Sequence, residues 1–129
     1  MNKNVFRNFS YGVYLVSSLD NQRPTGCIAN SAMQITSAPA TIAVSINHDN
    51  FTNECIRKSG RFAVSILSEN TPSDLIGQFG FHSGKDINKF DSVPIPNGIR
   101  TSDTRRLLRI CHLQSNRYNG NSYSHCFSR

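Results

Sequence analysis

The sequence predicts an all-β fold, an antiparallel barrel carrying short helical insertions. Three observations lead there: β-rich runs of about five to ten residues, turn-forming clusters between them, and two short helical patterns. A parallel sheet needs regular strand–helix alternation, which the first three strands do not show. With 129 residues and no internal repeat, the chain is one domain large enough for a single core.

Phe9 to Ser18 alternates partially and is closed by the turn-forming Asp20-Asn21-Gln22-Arg23-Pro24, so a hairpin into a strand over Thr25 to Thr36 is the economical reading. Pro39 ends that strand, and Thr41 to Asn47 is apolar enough to be central in a sheet. Asn50-Phe51-Thr52-Asn53-Glu54 opens a short helix that runs to Arg57 and Lys58, two cations suited to a helix end, and Gly60 stops it. Arg61 to Leu67 is strand again. Thr71 then caps a second helix with Pro72 in its first turn and Asp74 three residues after the cap, and Leu75, Ile76 and Phe79 give it an apolar face before Gly80.

The Thr25–Ala40 stretch is strand-like, yet it carries small and amide residues where a plain core strand would carry Val, Ile or Leu. Such a ribbon lets a flat polar ligand approach the backbone, with Asn30, Ser31, Gln34 and Thr36 as donors and acceptors along it. Composition alone equally allows four strand residues on a solvated face. Asn47, Asn50 and Thr52 follow a central strand and open a helix, where free N–H groups and a partial positive charge suit a phosphate. Ordinary capping explains the same residues. Phe79 to Lys85 is a glycine-punctuated loop ending on a cation, with Lys89 four residues on; either lysine can neutralise a phosphate or simply face solvent. His48 and His82 are weighed as proton donors against ordinary structural roles.

Taken together, these pieces resemble the flavin reductase-like family of FMN-binding split-barrel proteins. The resemblance is carried by Gly26-Cys27-Ile28-x-Asn30-Ser31-x-x-Gln34-Ile35-Thr36-Ser37-x-Pro39, by Ile42 to Asn47, by Asn50-Phe51-Thr52, by Phe62 to Leu67, and by Gln78 to Asp86 with Lys89-Phe90. It covers roughly residues 5 to 92 and ends near Arg100. It implies a Greek-key split β-barrel, incomplete at the C-terminus, that binds FMN non-covalently at the interface of a homodimer. NADH or NADPH would be the electron donor, and a free flavin, an iron protein or oxygen the acceptor. The implied cofactor-binding residues are Thr25, Gly26, Cys27, Asn30, Ser31, Gln34, Thr36, Asn47, Asn50, Thr52, Ser83, Gly84, Lys85 and Lys89. No protein nucleophile or acid–base pair is required, because the flavin carries the chemistry. Cys27 reads as a small packed residue rather than a redox thiol.

The net charge of +6 looks like a hint of nucleic acid, but residues 1–99 hold 8 Lys/Arg against 7 Asp/Glu. Residues 100–129 hold 6 Arg against the single acid Asp103, so the basicity belongs to the tail. No nucleic-acid motif occurs, and no nucleic-acid partner is expected. Neither zinc spacing nor a Cys-x-x-Cys pair occurs among Cys27, Cys55, Cys111 and Cys126, so no metal site is expected. With no apolar run of membrane length and no leader pattern, the expectation is a soluble cytoplasmic protein with free thiols.

Two parts are therefore expected: residues 1–99, the N-terminal part of an FMN-binding domain, and a tail over 100–129, disordered or out of frame. From Arg100 the apolar periodicity gives way to Arg, Ser, Asn and Tyr. Shifting permitted codons for Ile110 to Phe127 one nucleotide forward can give Tyr-Ala-Ile-Cys-Lys-Val-Ile-Asp-Ile-Met-Glu-Thr-His-Thr-His-Thr-Val-Phe. That string alternates like a pair of strands and ends much as the family does. If the shift is real, closing strands are missing, an edge is left unpaired and the activity of this chain is in doubt. Besides a flavin reductase, the sequence therefore leaves open an FMN electron carrier reduced by a partner protein, or a non-functional fragment.

Overall fold

The computed structural model describes the backbone of residues 3–38, 40–91, 93, 107–118 and 121–127, with side chains for 4–38, 40–91 and 93. After a 3-10 helix over Lys3–Asn8, the elements are β1 (Tyr14–Asp20), β2 (Arg23–Ala29), β3 (Ala32–Ser37), β4 (Ala40–Ser45), α1 (Phe51–Ser59), β5 (Arg61–Ile66), α2 (Ser73–Phe81), β6 (Leu107–Tyr118) and β7 (Asn121–Phe127). The seven strands form one antiparallel sheet in the order β2-β1-β5-β6-β7-β4-β3. This is the expected all-β split barrel with two helical insertions. Its crossovers place β5 beside β1 and β7 beside β4.

The first hairpin turns through Asn21 (φ 48°) and Gln22 (φ 80°), both left-handed, as the right-handed twist of flanking strands demands of a two-residue turn. Glutamine is poorly suited to that conformation. Gln22→Gly is expected to raise stability by about 0.5–1 kcal/mol, the relief of left-handed strain less the backbone entropy of glycine. Urea unfolding checks it; an unchanged or lower midpoint refutes it. Pro24 is tolerated in β2 because β2 lies at the sheet edge.

The strand expected over Thr25 to Thr36 is two strands. β2 pairs with β1 at one edge, β3 pairs with β4 at the other, and the chain crosses between them at Asn30 and Ser31. Long-range pairing makes this break, since no glycine or proline marks it. The first strand begins at Tyr14 rather than Phe9 because its partner β2 ends opposite, with Tyr14 facing Ala29.

Helix α1 follows its sequence signals closely. Asn50 Oδ1 accepts from the Thr52 N–H at 2.8 Å, and Gly60 (φ 68°) donates its N–H to the Ile56 carbonyl at 2.8 Å. Cys55 and Ile56 face inward, and Ile56 joins Val16, Val44, Phe62 and Val64 in the core. Helix α2 departs slightly: Pro72 occupies the cap position, while Thr71 Oγ1 accepts from the Ser68 N–H. The helix continues past Gly80 to Phe81.

Backbone pairing continues after α2. β6 runs beside β5, β7 beside β4, and the two form a hairpin with each other. Over 107–118 and 121–127 the backbone is strand. Main-chain hydrogen bonds of this kind satisfy the exposed edges of β4 and β5 whatever the side chains are. Pro39, residues 100–106 and the thiols of Cys111 and Cys126 lie outside the described residues.

Candidate functional site

The crossover at Asn30 and Ser31 builds a groove. A 2.9 Å hydrogen bond from the Ser45 N–H to the Ser31 carbonyl fastens the crossover to the end of β4. Between the two segments lies a groove of about 600 Å³ lined by Cys27, Ile28, Ala29, Asn30, Ser31, Ser45, Ile46, Asn47, His48 and Asn50. That volume lies within the range of small-molecule sites, and most of the wall is short side chains, amides and backbone.

The far wall is held by the start of α1. Asn47 Oδ1 accepts from the Asp49 N–H at 3.1 Å and its carbonyl from the Asn50 N–H at 3.0 Å, while Asn53 Nδ2 donates to the Ile46 carbonyl at 3.0 Å. The groove therefore opens on the N-terminal end of a nine-residue helix, where the backbone dipole favours an anion. His48 Nε2 lies 3.0 Å from Asp49 Oδ1, and both side chains are exposed.

Of the residues proposed from sequence, Cys27, Asn30, Ser31, Asn47 and Asn50 meet in this groove. Thr25, Gly26 and Thr52 lie buried behind its wall. A Cβ on Gly26 would come within 2.9 Å of the Val16 carbonyl, so packing on β1 already requires glycine there. Gln34 and Thr36 are exposed on β3, where the Gln34 amide donates to the Thr36 carbonyl at 3.2 Å.

The glycine loop docks on the other side of α1. Gly84 is buried so close to Thr25 Oγ1 and the Phe51 ring that a Cβ would strike both. Its carbonyl accepts from Arg23 Nη2 at 2.9 Å, and the Ser83 hydroxyl accepts from the Lys85 N–H at 3.1 Å. Thr25 Oγ1, sealed beneath this loop, has no hydrogen-bond partner among the described residues. Lys85 is exposed, with Nζ 3.3 Å from Glu54 Oε2 and 5.5 Å from the centre of the Phe51 ring. Lys58 and then Lys85 hold the Glu54 carboxyl below its ordinary 4.5. That contribution is present above the ordinary carboxylate range and is lost as pH falls through the lowered value.

Lys89 is buried, and its ammonium donates to the carbonyls of Gly26 at 2.8 Å and Phe79 at 3.1 Å. Burial pushes its pKa down, partly offset by the neighbouring Cys27. Burial likewise pushes the Cys27 thiol up, against hydrogen bonds to Thr52 and Asn50 and the charge of Lys89. A thiol held protonated in this way is a packed group at neutral pH, not a nucleophile.

Residue-type reasoning did not single out Ile28, Ala29, Ser45 and Ile46, which also line the groove, and it weighed His48 only as a proton donor. The available signal was the end of the apolar run Thr41 to Asn47, which points its last residues toward the helix start. A planar polar ring with an anionic tail fits the donor set: amides of Asn30, Asn47 and Asn50, the Ser31 hydroxyl, nearby backbone and a helix N-terminus.

Comparison with known proteins agrees with this architecture. A ferric-chelate reductase (NAD(P)H) of Archaeoglobus fulgidus is 43% identical over 98 residues, covering 76% of this chain and 58% of that protein. A high molecular weight rubredoxin of Moorella thermoacetica is 42% identical over 93 residues, covering 72% of this chain and 41% of that protein. The chain thus spans about half the length of these relatives. An FMN-binding protein of Thermus thermophilus superposes with a TM-score of 0.76 at 17% identity, covering 98% of this chain and 74% of that one. An NADH:FAD oxidoreductase of Streptomyces globisporus superposes with a TM-score of 0.78 at 20% identity, covering 97% and 76%. These two likenesses concern the fold. The family model described as the flavin reductase like domain matches residues 6–105, and the chain belongs to that family.

Proposed function

We propose that the groove holds FMN non-covalently and that the chain is an oxidoreductase of the flavin reductase type, using NADH or NADPH as donor. The observation that carries this is the groove itself, walled by small and amide residues and opening on the start of α1. Asn30, Ser31 and the backbone around them would bound the ring, and Asn47, Asn50 and the helix end would orient the phosphate. When bound, FMN supplies hydride and electron transfer, which no side chain of the groove provides. The protein contributes placement, main-chain hydrogen bonds and partial exclusion of water.

The experiment is to purify the chain with excess FMN, record its flavin absorbance, and follow NADH and NADPH oxidation with added flavin. Bound yellow cofactor with steady turnover is the expected result. A colourless protein refutes the FMN site. Colour without turnover supports instead an electron carrier reduced by a partner, a second reading favoured by the rubredoxin relative, whose name denotes an iron protein.

A homodimer through the flavin site is part of the same proposal, supported by Met33 and Ile35 exposed on β3 directly after the crossover. Sedimentation at two concentrations tests it. Among the described residues no helix is long and apolar enough to cross a membrane, and a cytoplasmic location is proposed. A shifted frame over 100–129 is likewise proposed, supported by a family match that stops at residue 105. A strand pair is what the shifted string would form as well. The coding DNA decides it, and stops in the shifted frame refute it.

A further inference from the structure

Lys89 carries an arrangement that charge alone does not explain. It is 3% exposed, and none of the carboxylates of the described residues forms an ion pair with it. Its ammonium spends hydrogen bonds on two carbonyls from different elements, Gly26 of β2 and Phe79 of α2, and lies 5.7 Å from the centre of the Phe79 ring. Its own carbonyl accepts from Gln78 Nε2 at 2.5 Å, and the next residue, Phe90, sets its ring edge-on to Phe79 at 4.9 Å. Residue 89 is therefore fastened to α2 by backbone, side chain and neighbour.

The Gly26 end of this bridge matters for the groove. β2 is an edge strand, so its outward carbonyls have no strand partner, and Gly26 immediately precedes Cys27, where the groove wall begins. Lysine suits this work because its slender stem passes through a packed layer and its head offers three donors. We infer that Lys89 is a positioning residue: it pins the Gly26 carbonyl to the end of α2 and so fixes the backbone of the groove wall, without touching the ligand. This rests on the FMN reading for its effect on binding, and on geometry alone for its effect on the backbone.

The test uses the full chain with Lys89→Met, which keeps the stem and removes the donors, and Lys89→Arg, which keeps donors. Titrations with FMN and with riboflavin, which lacks the phosphate, are compared with hydrogen–deuterium exchange of the flavin-free proteins. Lys89→Met is expected to weaken both flavins by the same factor, about tenfold, and to speed exchange in peptides covering 23–31 and 73–81 but not in β4. Lys89→Arg is expected to restore protection in both segments. Loss confined to FMN shows a phosphate contact and overturns the inference. So do unchanged affinities for both flavins, unchanged exchange, or exchange raised evenly along the chain. If the wild-type chain binds neither flavin, the FMN reading has failed, and the exchange measurement alone decides the role of Lys89.

Discussion

Phe79→Ala is expected to cost about 3–5 kcal/mol, the usual penalty for removing a buried aromatic ring from a packed site. The ring is 1% exposed, takes the edge of Phe90 at 4.9 Å, and shelters the Lys89 ammonium. Its loss removes apolar contacts and leaves a buried cation beside a void, so little relaxation can compensate. A domain of this size has a margin of only about 5–15 kcal/mol. The urea midpoint should fall by about 2 M, taking a slope near 2 kcal/mol/M. Phe81, two residues on in the same helix, is 87% exposed, and its alanine variant should stay within about 0.5 kcal/mol of the parent. Equal shifts for the two variants would contradict the packing described for α2.

Ser31→Trp should weaken FMN binding by at least about 100-fold, equivalent to roughly 2.7 kcal/mol, while the urea midpoint stays near that of the parent. Ser31 lines the groove and is half-buried, and among the described residues its hydroxyl donates to the exposed Asn30 Oδ1, at 3.1 Å. An indole there fills the space between the crossover and the end of β4. The backbone carbonyl that holds Ser45 is retained, so the fold is left intact. Gln34→Ala shows whether β3 also reaches the ligand, because that amide lies on exposed β3 beside the groove rather than in its wall. If Ser31→Trp binds FMN as the parent does, the flavin lies elsewhere.

Local signals made α1 legible almost to the residue, because its limits depend on Asn50 and Gly60 acting over a single turn. The strand over Thr25 to Thr36 was misjudged as continuous for the opposite reason. Its break at Asn30 and Ser31 is imposed by pairing with β1 on one side and β4 on the other, which no neighbouring residue encodes. The site divides along the same line. Asn30, Ser31, Asn47 and Asn50 could be found because short polar side chains in a strand and at a helix start are locally unusual. The surroundings of the two candidate lysines could not be read in the same way. Lys85 is engaged by Glu54, 31 positions earlier, and Lys89 by the carbonyl of Gly26, 63 positions earlier, so their surroundings are set by topology.

The two-residue crossover has a thermodynamic consequence. It joins the half of the sheet ending in β2 to the half beginning with β3, so a molecule seated there keeps its contacts only while both halves stand. Occupancy then couples by mass action to the melting of the entire chain, worth about 2.7 kcal/mol at a free concentration one hundred times Kd. Heat resistance that climbs with the logarithm of added ligand is the macroscopic sign of that coupling.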